Sequence, residues 1–408
     1  MLRSARPAET GNAPDWRIAV FGIAISGAAF LIFLVQPMVA KRILPWFGGT
    51  PAVWMLCLTF YQSALFVGYV YAHALVRWVP PGIQAGIHGC LLLAAIMALP
   101  ILPADSWASV AVEEPTLRIM TLLASEIALP FVVLAATGPL VQAWFARRHP
   151  TRSPYPLYAL SNLGSMLALF AFPFIVEPRW PLSLAGRGWG VGLVCVALAI
   201  IACGVMALRA GPRGRAPDRS AGVQGGAGRD PVGLWLVLSA AAVVLLMGVS
   251  NQLCLDIASI PFLWILPLSI YLLTFILCFS DRRWIRPGPF LVLALLALAA
   301  IAVKALSYYW IVTMGWDVEA ATVERVRMLG SVYIEVCIYS LLLLSTCMLL
   351  HGELYRRRPP PERLTSFYLY VSGGGALGGL FVGLLAPRIF PDYYELEAGL
   401  ILALVGLA

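Results

Sequence analysis

The sequence predicts an all-α polytopic membrane protein with eleven to twelve transmembrane helices in two similar halves. Hydrophobic residues make up 61% of the 408 residues, and charged residues only 12%. A soluble chain of this length could not bury so much apolar surface, whereas lipid can cover it. Apolar runs of about 20 residues, the length of helix that crosses the hydrocarbon core, recur along most of the chain.

The division into two halves rests on sequence anchors that repeat at nearly one offset. The Pro-Ala-Val-Trp of residues 51–54 recurs as Pro-Phe-Leu-Trp at residues 261–264, an offset of 210. The other anchors are Glu126 with Glu335, Ser161 with Ser372, and Gly164 with Gly375. Each anchor lies in or beside an apolar run. Two similar membrane halves joined end to end are a common plan of transporters.

Twelve spans follow from the hydropathy pattern. The spans are near 18–36, 53–75, 83–102, 117–145, 155–176, 188–208, 233–253, 261–280, 287–306, 329–351, 365–386 and 394–408. Pro37 is expected to break the first helix, because proline removes a backbone hydrogen bond and clashes with the preceding turn. The twelfth span reaches Ala408 before it has the length needed to cross. We therefore expect the last helix to be truncated.

The charges predict the orientation of the bundle. Of the 28 Lys and Arg, 19 fall in six segments: 1–17, 76–82, 146–154, 209–232, 281–286 and 352–364. These segments all lie on one side if the spans alternate. By the positive-inside rule this side is cytoplasmic, which puts the N-terminus inside a bacterial inner membrane. The net charge of +8 is therefore explained by topology and anionic headgroups, and no nucleic-acid partner is expected.

A linker divides the chain at the junction of the two repeats. Residues 210–232 are rich in Gly, Pro and Arg and predict a flexible cytoplasmic segment. The predicted organisation is a tail at 1–16, a first six-helix repeat at 17–209, the linker, and a second repeat at 233–408. A long central loop between two parallel-related six-helix halves is the layout of the major facilitator superfamily.

Glu126 and Glu335 are the strongest candidates for a solute site. An acid at membrane depth costs about 2.5–3.5 kcal/mol on insertion scales, so it usually faces a cavity or a partner. The repeat puts the two acids at corresponding points of helices four and ten. They are predicted to provide counter-charge for a cation. The alternative is that both lie hydrated near the outer interface.

Other polar side chains in the spans are candidate solute contacts. Asn162 lies in the fifth span, and Asn251 and Gln252 end the seventh. Amides there can line a cavity or bond across helices, and the alternative is a position in the outer interface. Tyr69 and His73 share one face of the second helix at a spacing of four residues. They are predicted ligand contacts, with helix packing as the alternative.

The eleventh span contains a cluster of glycines. The overlapping GxxxG pairs are formed by Gly374, Gly375, Gly378, Gly379 and Gly383. In an apolar helix this spacing predicts close helix packing rather than a nucleotide loop, which would need a preceding strand. The eight cysteines form no CxxC pair, and each is predicted to pack as a small apolar side chain. No metal site or cofactor is expected in this chain.

Four long stretches resemble one family. They are residues 36–54, 157–178, 251–279 and 351–379. In this order they are similar to the membrane portion of bacterial spermidine synthase-like proteins, often labelled fused major-facilitator/spermidine synthase proteins. The resemblance runs from about residue 18 to the end of the chain. It implies an inner-membrane domain followed by a cytoplasmic aminopropyltransferase-like domain, which binds a decarboxylated S-adenosylmethionine-type cofactor and a polyamine.

The sequence departs from that family at its end. It stops at Ala408 without an aminopropyltransferase motif, so none of the family's catalytic residues can be assigned and the chain as given is not expected to be an enzyme. Residues 76–84 also lack the Gly, Asp and Arg signature of major facilitators. The leading hypothesis is a transporter-like domain for a small cationic solute, plausibly a polyamine. The alternative is a membrane anchor for a soluble aminopropyltransferase-like partner domain.

Overall fold

The computed structural model describes residues 16–48, 51–108, 115–208, 230–256, 261–313 and 331–408. These residues form helices and their connections, and no strand occurs among them. Most of the expected N-terminal tail and nearly all of the expected linker at 210–232 lie outside the described residues. The boundaries predicted for these two segments therefore stay predictions.

The first half contains six membrane helices. They are α1 (Trp16–Phe47), α2 (Pro51–Trp78), α3 (Pro81–Met97), α4 (Pro115–Glu126 and Ala128–Arg148), α5 (Tyr155–Ala171, continued through Phe172–Val176 to Glu177–Arg179) and α6 (Leu182–Leu208). Short non-helical connections join these helices where the structure describes them, and the one after α3 contains a 3₁₀ turn at Asp105–Trp107. Pro37 does not end α1 as expected. The helix continues through it because Met38, Val39 and Ile43 are buried against the core.

The second half repeats this order. Its helices are α7 (Val232–Asp256), α8 (Pro261–Ser280), α9 (Pro287–Thr313), α10 (Ser331–Arg356), α11 (Leu364–Leu380, continued through Phe381–Leu385 to Ala386–Ile389) and α12 (Glu395–Leu407). Within the described ranges, 9 helices are long and apolar enough to cross a membrane, and two shorter apolar helices join them. The predicted all-α bundle of eleven to twelve membrane helices is confirmed.

The hydrophobic cores follow the two halves. One cluster is built from residues of α1–α6, with Phe21, Trp144 and Trp189 among its largest buried side chains. A second cluster centres on α7–α12, with Trp235 and Phe367, and it also takes in a few residues of α5. A smaller third cluster joins α1 and α2 to α7 and α11. Each half is thus packed around its own core, and the two halves meet along a separate seam.

Helix neighbours in one half match those in the other. In the first half α1 packs on α5 and α6, and in the second α7 packs on α11 and α12. The pair α2 and α4 likewise corresponds to α8 and α10. Between the halves, α2 packs on α11 and α5 packs on α8. Because α2 corresponds to α8 and α5 to α11, these two contacts are equivalent in the repeat. This pattern is the one expected for two halves related by a pseudo-twofold axis between them.

The repeat extends to an irregular turn. Phe172–Val176 in α5 and Phe381–Leu385 in α11 are both π-helical, at an offset of 209 residues. Each turn is followed by a Pro-Arg pair, at residues 178–179 and 387–388. Proline has no amide hydrogen to donate to the preceding turn, so the backbone widens there. The matching turns show that the two halves share a backbone irregularity as well as a helix order.

Candidate functional site

A cavity lies on the seam between the two halves. It encloses about 870 Å³ of space between protein atoms, part of which is open to solvent. Its walls come from α1, α2, α4 and α5 of the first half and from α8 and α11 of the second. A central position between repeats, reached by helices of both, is where transporters hold their solutes. We therefore treat this space, named here the central cavity, as the candidate functional site.

The lining of the central cavity is polar and aromatic but carries no charge. The polar side chains are Gln62, Ser161, Asn162, Ser165 and Ser372. The aromatic side chains are Phe33, Tyr69, Tyr158, Tyr271 and Phe275. Among the lining residues that the structure describes, none is Asp, Glu, Lys, Arg or His. This wall offers hydrogen bonds and flat ring faces rather than ion pairs.

Several lining groups are oriented by hydrogen bonds within their own helices. Asn162 Nδ2 donates to the carbonyl oxygen of Tyr158 at 2.9 Å. The hydroxyls of Ser165 and Ser372 donate to the carbonyls of Ser161 and Leu369, at 3.3 and 3.0 Å. Each of these side chains commits a proton to the backbone and keeps an oxygen that can accept. They therefore provide mainly acceptors for the donor groups of a solute.

Two stacked tyrosines bound the central cavity at one end. This is the end of the bundle where α1 begins and α10 ends, and we name it the basic end because Arg148 and Arg356 lie there. Tyr158 of α5 and Tyr368 of α11 stack with ring centroids 4.9 Å apart. The Tyr368 hydroxyl donates to Gln142 Oε1 at 2.9 Å. The stack thus joins the two halves. It lies closer to the basic end than Ser161 of α5 and Ser372 of α11, which line the central cavity.

A second set of contacts between the halves lies closer still to the basic end. The Tyr155 hydroxyl at the start of α5 donates to the carbonyl of Pro359, beyond the end of α10. The Arg358 guanidinium lies 5.2 Å from the centre of the Tyr155 ring and 3.6 Å from that of Tyr355. His73 Nδ1 of α2 is 3.1 Å from Thr365 Oγ1 of α11. We expect these contacts between the halves to close the basic end in this conformation.

Weakening this closure should expose the central cavity from the basic end. The double change Tyr155→Phe/Arg358→Ala removes one hydrogen bond, worth about 0.5–1.5 kcal/mol, and a cation–π contact of about 0.5–2 kcal/mol. We expect a cysteine introduced as Ser372→Cys, at a lining position, to be alkylated from the basic side roughly tenfold faster in this background. Arg363→Ala is the control, since it breaks an ion pair with Asp230 just ahead of α7, a contact that does not join the two halves. An equal rate in both backgrounds would contradict the closure.

Two of the predicted solute contacts line the central cavity. Asn162 and Tyr69 lie on its wall. His73 lies beyond it, in the contact with Thr365. Asn251 is buried and Gln252 is half-buried near the far end of α7, and neither is among the described lining residues. The structure therefore brings together Asn162 and Tyr69 but not the other three.

The two predicted acids have partners within their own halves. Trp107 Nε1 donates to Glu126 Oε1 at 3.0 Å, and Glu335 forms an ion pair with Lys304 of α9. Pro130 follows Glu126 by four residues and has no amide hydrogen for the Glu126 carbonyl, which is why α4 is interrupted there. Neither acid is among the residues that line the central cavity.

The glycine cluster of α11 faces two neighbouring helices. A Cβ on Gly374 would overlap Ser239 Oγ and the Leu236 carbonyl of α7, and one on Gly378 would come within 2.8 Å of the Ala240 carbonyl. Gly379 and Gly383 face α2, close to Gln62 and Thr59. Gly375 lies on the wall of the central cavity. The glycines thus lie where α11 approaches α7 and α2 closely.

Several lining residues were not predicted from the sequence. Tyr158, Tyr271 and Phe275 occupy the wall, although none was a candidate. The sequence repeat did indicate Tyr271 as a candidate, because Tyr271 lies 210 residues after Tyr61, and 210 is the offset that relates the two halves. Tyr61 is itself buried and stacks on Phe131. The repeat can therefore locate such positions, but the sequence does not tell which member of a pair faces the cavity.

Comparison with solved structures identifies the fold. The chain is similar to the proton:xylose symporter XylE of the major facilitator superfamily, in a structure bound to 6-bromo-6-deoxy-D-glucose. The TM-score is 0.57 at 9% sequence identity, and the match covers 97% of this chain and 95% of the symporter. In all, 53 chains of solved structures match. No family model and no curated protein matches. The protein therefore has a major facilitator-like fold built of membrane-spanning helices.

Proposed function

We propose that this protein carries a small polar solute across the membrane through the central cavity. The observation that carries the proposal is the wall itself, to which both halves contribute hydrogen-bonding and aromatic groups. A site shared by two halves can open to either side when the halves rock against each other. The basic clusters favour a cytoplasmic basic end and, with the family resemblance, a bacterial inner membrane.

The first candidate class is a neutral solute rich in hydroxyl or amide groups. The described lining offers Gln62, Asn162 and serine oxygens as partners, and tyrosine rings as flat surfaces. It offers no described carboxylate or cation, and burying an unpaired charge costs several kcal/mol. The structure to which the chain is similar is that of a proton:xylose symporter, which gives xylose as a first compound to test. At 9% sequence identity, the likeness supports the fold and suggests xylose as a compound to test. It does not identify xylose as the substrate of this protein.

The second candidate class is a small amine, plausibly a polyamine. Tyr69, Tyr158 and Tyr271 present rings that can attract a cation, each by about 0.5–2 kcal/mol. The resemblance to spermidine synthase-like proteins also favours this class. For an amine solute, Glu126 and Glu335 would supply the negative counter-charge. They would do so either at an entrance of the central cavity or in another conformation that brings them closer to the solute. Asn251, Gln252 and His73 remain contacts proposed for that other conformation.

The test is a thermal-shift titration of the detergent-purified protein with xylose, putrescine and spermidine. A ligand stabilises the state to which it binds. A transported solute at a concentration of 100 times its Kd should therefore raise the free energy of unfolding by about 2.7 kcal/mol. We expect saturable stabilisation by xylose that Asn162→Ala reduces. Stabilisation by putrescine or spermidine that Glu126→Gln/Glu335→Gln abolishes would establish the amine class instead. If none of these compounds gives a saturable shift, the result would favour the alternative function, in which the bundle is a membrane anchor for an aminopropyltransferase-like domain.

A further inference from the structure

One fully buried histidine lies directly behind the wall of the central cavity. His351 of α10 has no exposed surface, and its ring stacks on Phe275 with centroids 3.6 Å apart and planes inclined by 23°. Tyr271 meets the same ring edge-on at 5.1 Å. Phe275 and Tyr271 both line the central cavity. The imidazole is therefore separated from the solute space by the two rings that it contacts.

The hydrogen bonds of Thr274 fix which ring nitrogen of His351 carries the hydrogen. The Thr274 hydroxyl donates to the Tyr271 carbonyl at 2.7 Å. His351 Nδ1 lies 2.9 Å from the same hydroxyl oxygen. A hydroxyl has one hydrogen to donate, so Nδ1 must be the donor and Nε2 must carry a bare lone pair. Nε2 is buried and has no hydrogen-bond partner within the described part of the chain.

A second buried histidine shows that this arrangement is not the rule in this bundle. His88 of α3 also has no exposed surface. Its Nδ1 lies 3.3 Å from the Tyr71 hydroxyl, and its Nε2 lies 3.5 Å from Thr137 Oγ1. Both nitrogens of His88 thus have polar neighbours. An acceptor without a partner distinguishes His351, and buried polar atoms of this kind are uncommon enough to require an explanation.

We propose that Nε2 of His351 is a proton-binding site whose occupancy is coupled to that of the central cavity. The proposal rests on the proposed transport function and names its coupling ion. A proton can be added at Nε2 without disturbing the bond from Nδ1 to Thr274. The resulting imidazolium would lie against the ring face of Phe275, an arrangement that attracts cations. Histidines within membrane helices are common members of proton pathways.

The surroundings of His351 explain why proton binding would follow the state of the wall. Beside Thr274 and Phe275 on α8 the titratable side chains are Tyr271 and Cys278. Beside His351 on α10 they are Cys347, Glu353, Tyr355 and Arg356, and Arg286 ahead of α9 lies next to Gly352. The acids of α12 lie at its start, at the end of the bundle opposite the basic end. Between Val232 and Leu253, α7 carries no titratable side chain. Glu353 is engaged by Arg356 and Arg357.

No carboxylate is therefore placed to neutralise a proton on His351. An imidazolium without a counter-ion requires hydration. Because Phe275 and Tyr271 lie between the imidazole and the central cavity, a movement of either ring with the cavity wall would give water access to His351. Proton binding and cavity opening would then be two linked equilibria, each favouring the other.

The direct test is nitrogen NMR of the histidine rings in a bilayer, which needs no transported solute. The chain has 4 histidines, so ¹⁵N-histidine labelling gives a small set of signals. His351→Gln and His88→Gln assign the two buried rings. At about pH 8 we expect the His351 signals of a neutral ring with hydrogen on Nδ1. As the pH is lowered, this ring should become an imidazolium at a higher pH in Tyr155→Phe/Arg358→Ala, which is expected to open the basic end, than in the unmodified protein, while the titration of His88 should be the same in both.

A variant with a different readout tests the same assignment if His351→Gln fails to fold. Thr274→Val removes the acceptor for Nδ1, so the hydrogen of the neutral ring should no longer be confined to Nδ1 and an Nε2–H form should appear. A His351 ring that titrates at the same pH in the unmodified protein and in Tyr155→Phe/Arg358→Ala, or that stays neutral in both, would overturn the proposal, as would hydrogen on Nε2 in the unmodified chain at about pH 8. Since no solute is involved, failure of the transport proposal would be seen separately, in the titration with xylose and amines.

Discussion

Replacing Ser161 with Trp is expected to weaken solute binding by about tenfold to 100-fold and to reduce transport accordingly, while leaving the bundle folded. Ser161 lies on the wall of the central cavity, in the helix that also carries Tyr158 and Asn162. An indole there would occupy the space of the solute, and forcing both into one site costs about 1–3 kcal/mol or more. At 1.4 kcal/mol for each factor of ten, affinity should fall by about tenfold to 100-fold. The measurement is solute uptake into proteoliposomes together with the thermal-shift titration.

The matched control is Leu163→Trp, two residues along the same helix. Leu163 is 37% exposed on the outside of the bundle, where an indole meets lipid rather than the cavity. It should retain binding and uptake close to those of the unmodified protein. If both variants lost uptake equally, the loss would come from a disturbed helix α5 rather than from a blocked central cavity. If neither lost it, the central cavity would not be the path of the solute.

Replacing Gly374 with Val is expected to be the most destabilising change in the second half. The added carbons would overlap the Leu236 carbonyl and Ser239 Oγ of α7, and backbone cannot give way as a flexible side chain can. Overpacking of this kind typically costs about 1–3 kcal/mol, and more where backbone is the obstacle. We expect the unfolding temperature in detergent to fall by roughly 5 °C or more, with loss of monodisperse protein.

Gly188→Val provides the comparison for this change. Gly188 is an exposed glycine in α6, and a Cβ there would meet nothing within 4 Å. The same substitution should change the unfolding temperature by at most a degree or two. Similar losses at Gly374 and Gly188 would mean that helix propensity, rather than the contact of α11 with α7, sets the cost. The close packing of these two helices would then contribute little to stability.

The architecture was predictable because it depends on coarse features of the sequence. Long apolar runs define helices in a membrane whatever their neighbours, and the repeat anchors at 51–54 and 261–264 indicated two halves. Helix ends were less predictable. Proline at residue 37 suggested a break, yet α1 runs on to Phe47 because the residues beyond the proline are buried. Tertiary packing outweighed the local cost of the missing hydrogen bond.

The site was harder to predict, because the sequence does not show where a side chain points. Asn162 was identified as a polar residue in an apolar helix, and it lines the central cavity. Glu126 and Glu335 had the same signature, but their partners Trp107 and Lys304 come from chain segments that no local pattern connects to them. An intramembrane polar residue signals a partner or a cavity, and only the fold distinguishes the two.

The most direct test of the account is whether one cavity position becomes accessible from both sides of the membrane. Ser161→Cys, in oriented proteoliposomes, would be treated with a membrane-impermeant maleimide from each side in turn, with labelling read at that peptide by mass spectrometry. A transporter that alternates its opening predicts labelling from either side, and slower labelling when a bound solute occupies the cavity. Labelling from one side only, or from neither, in folded protein would contradict a central cavity that serves as a transport path.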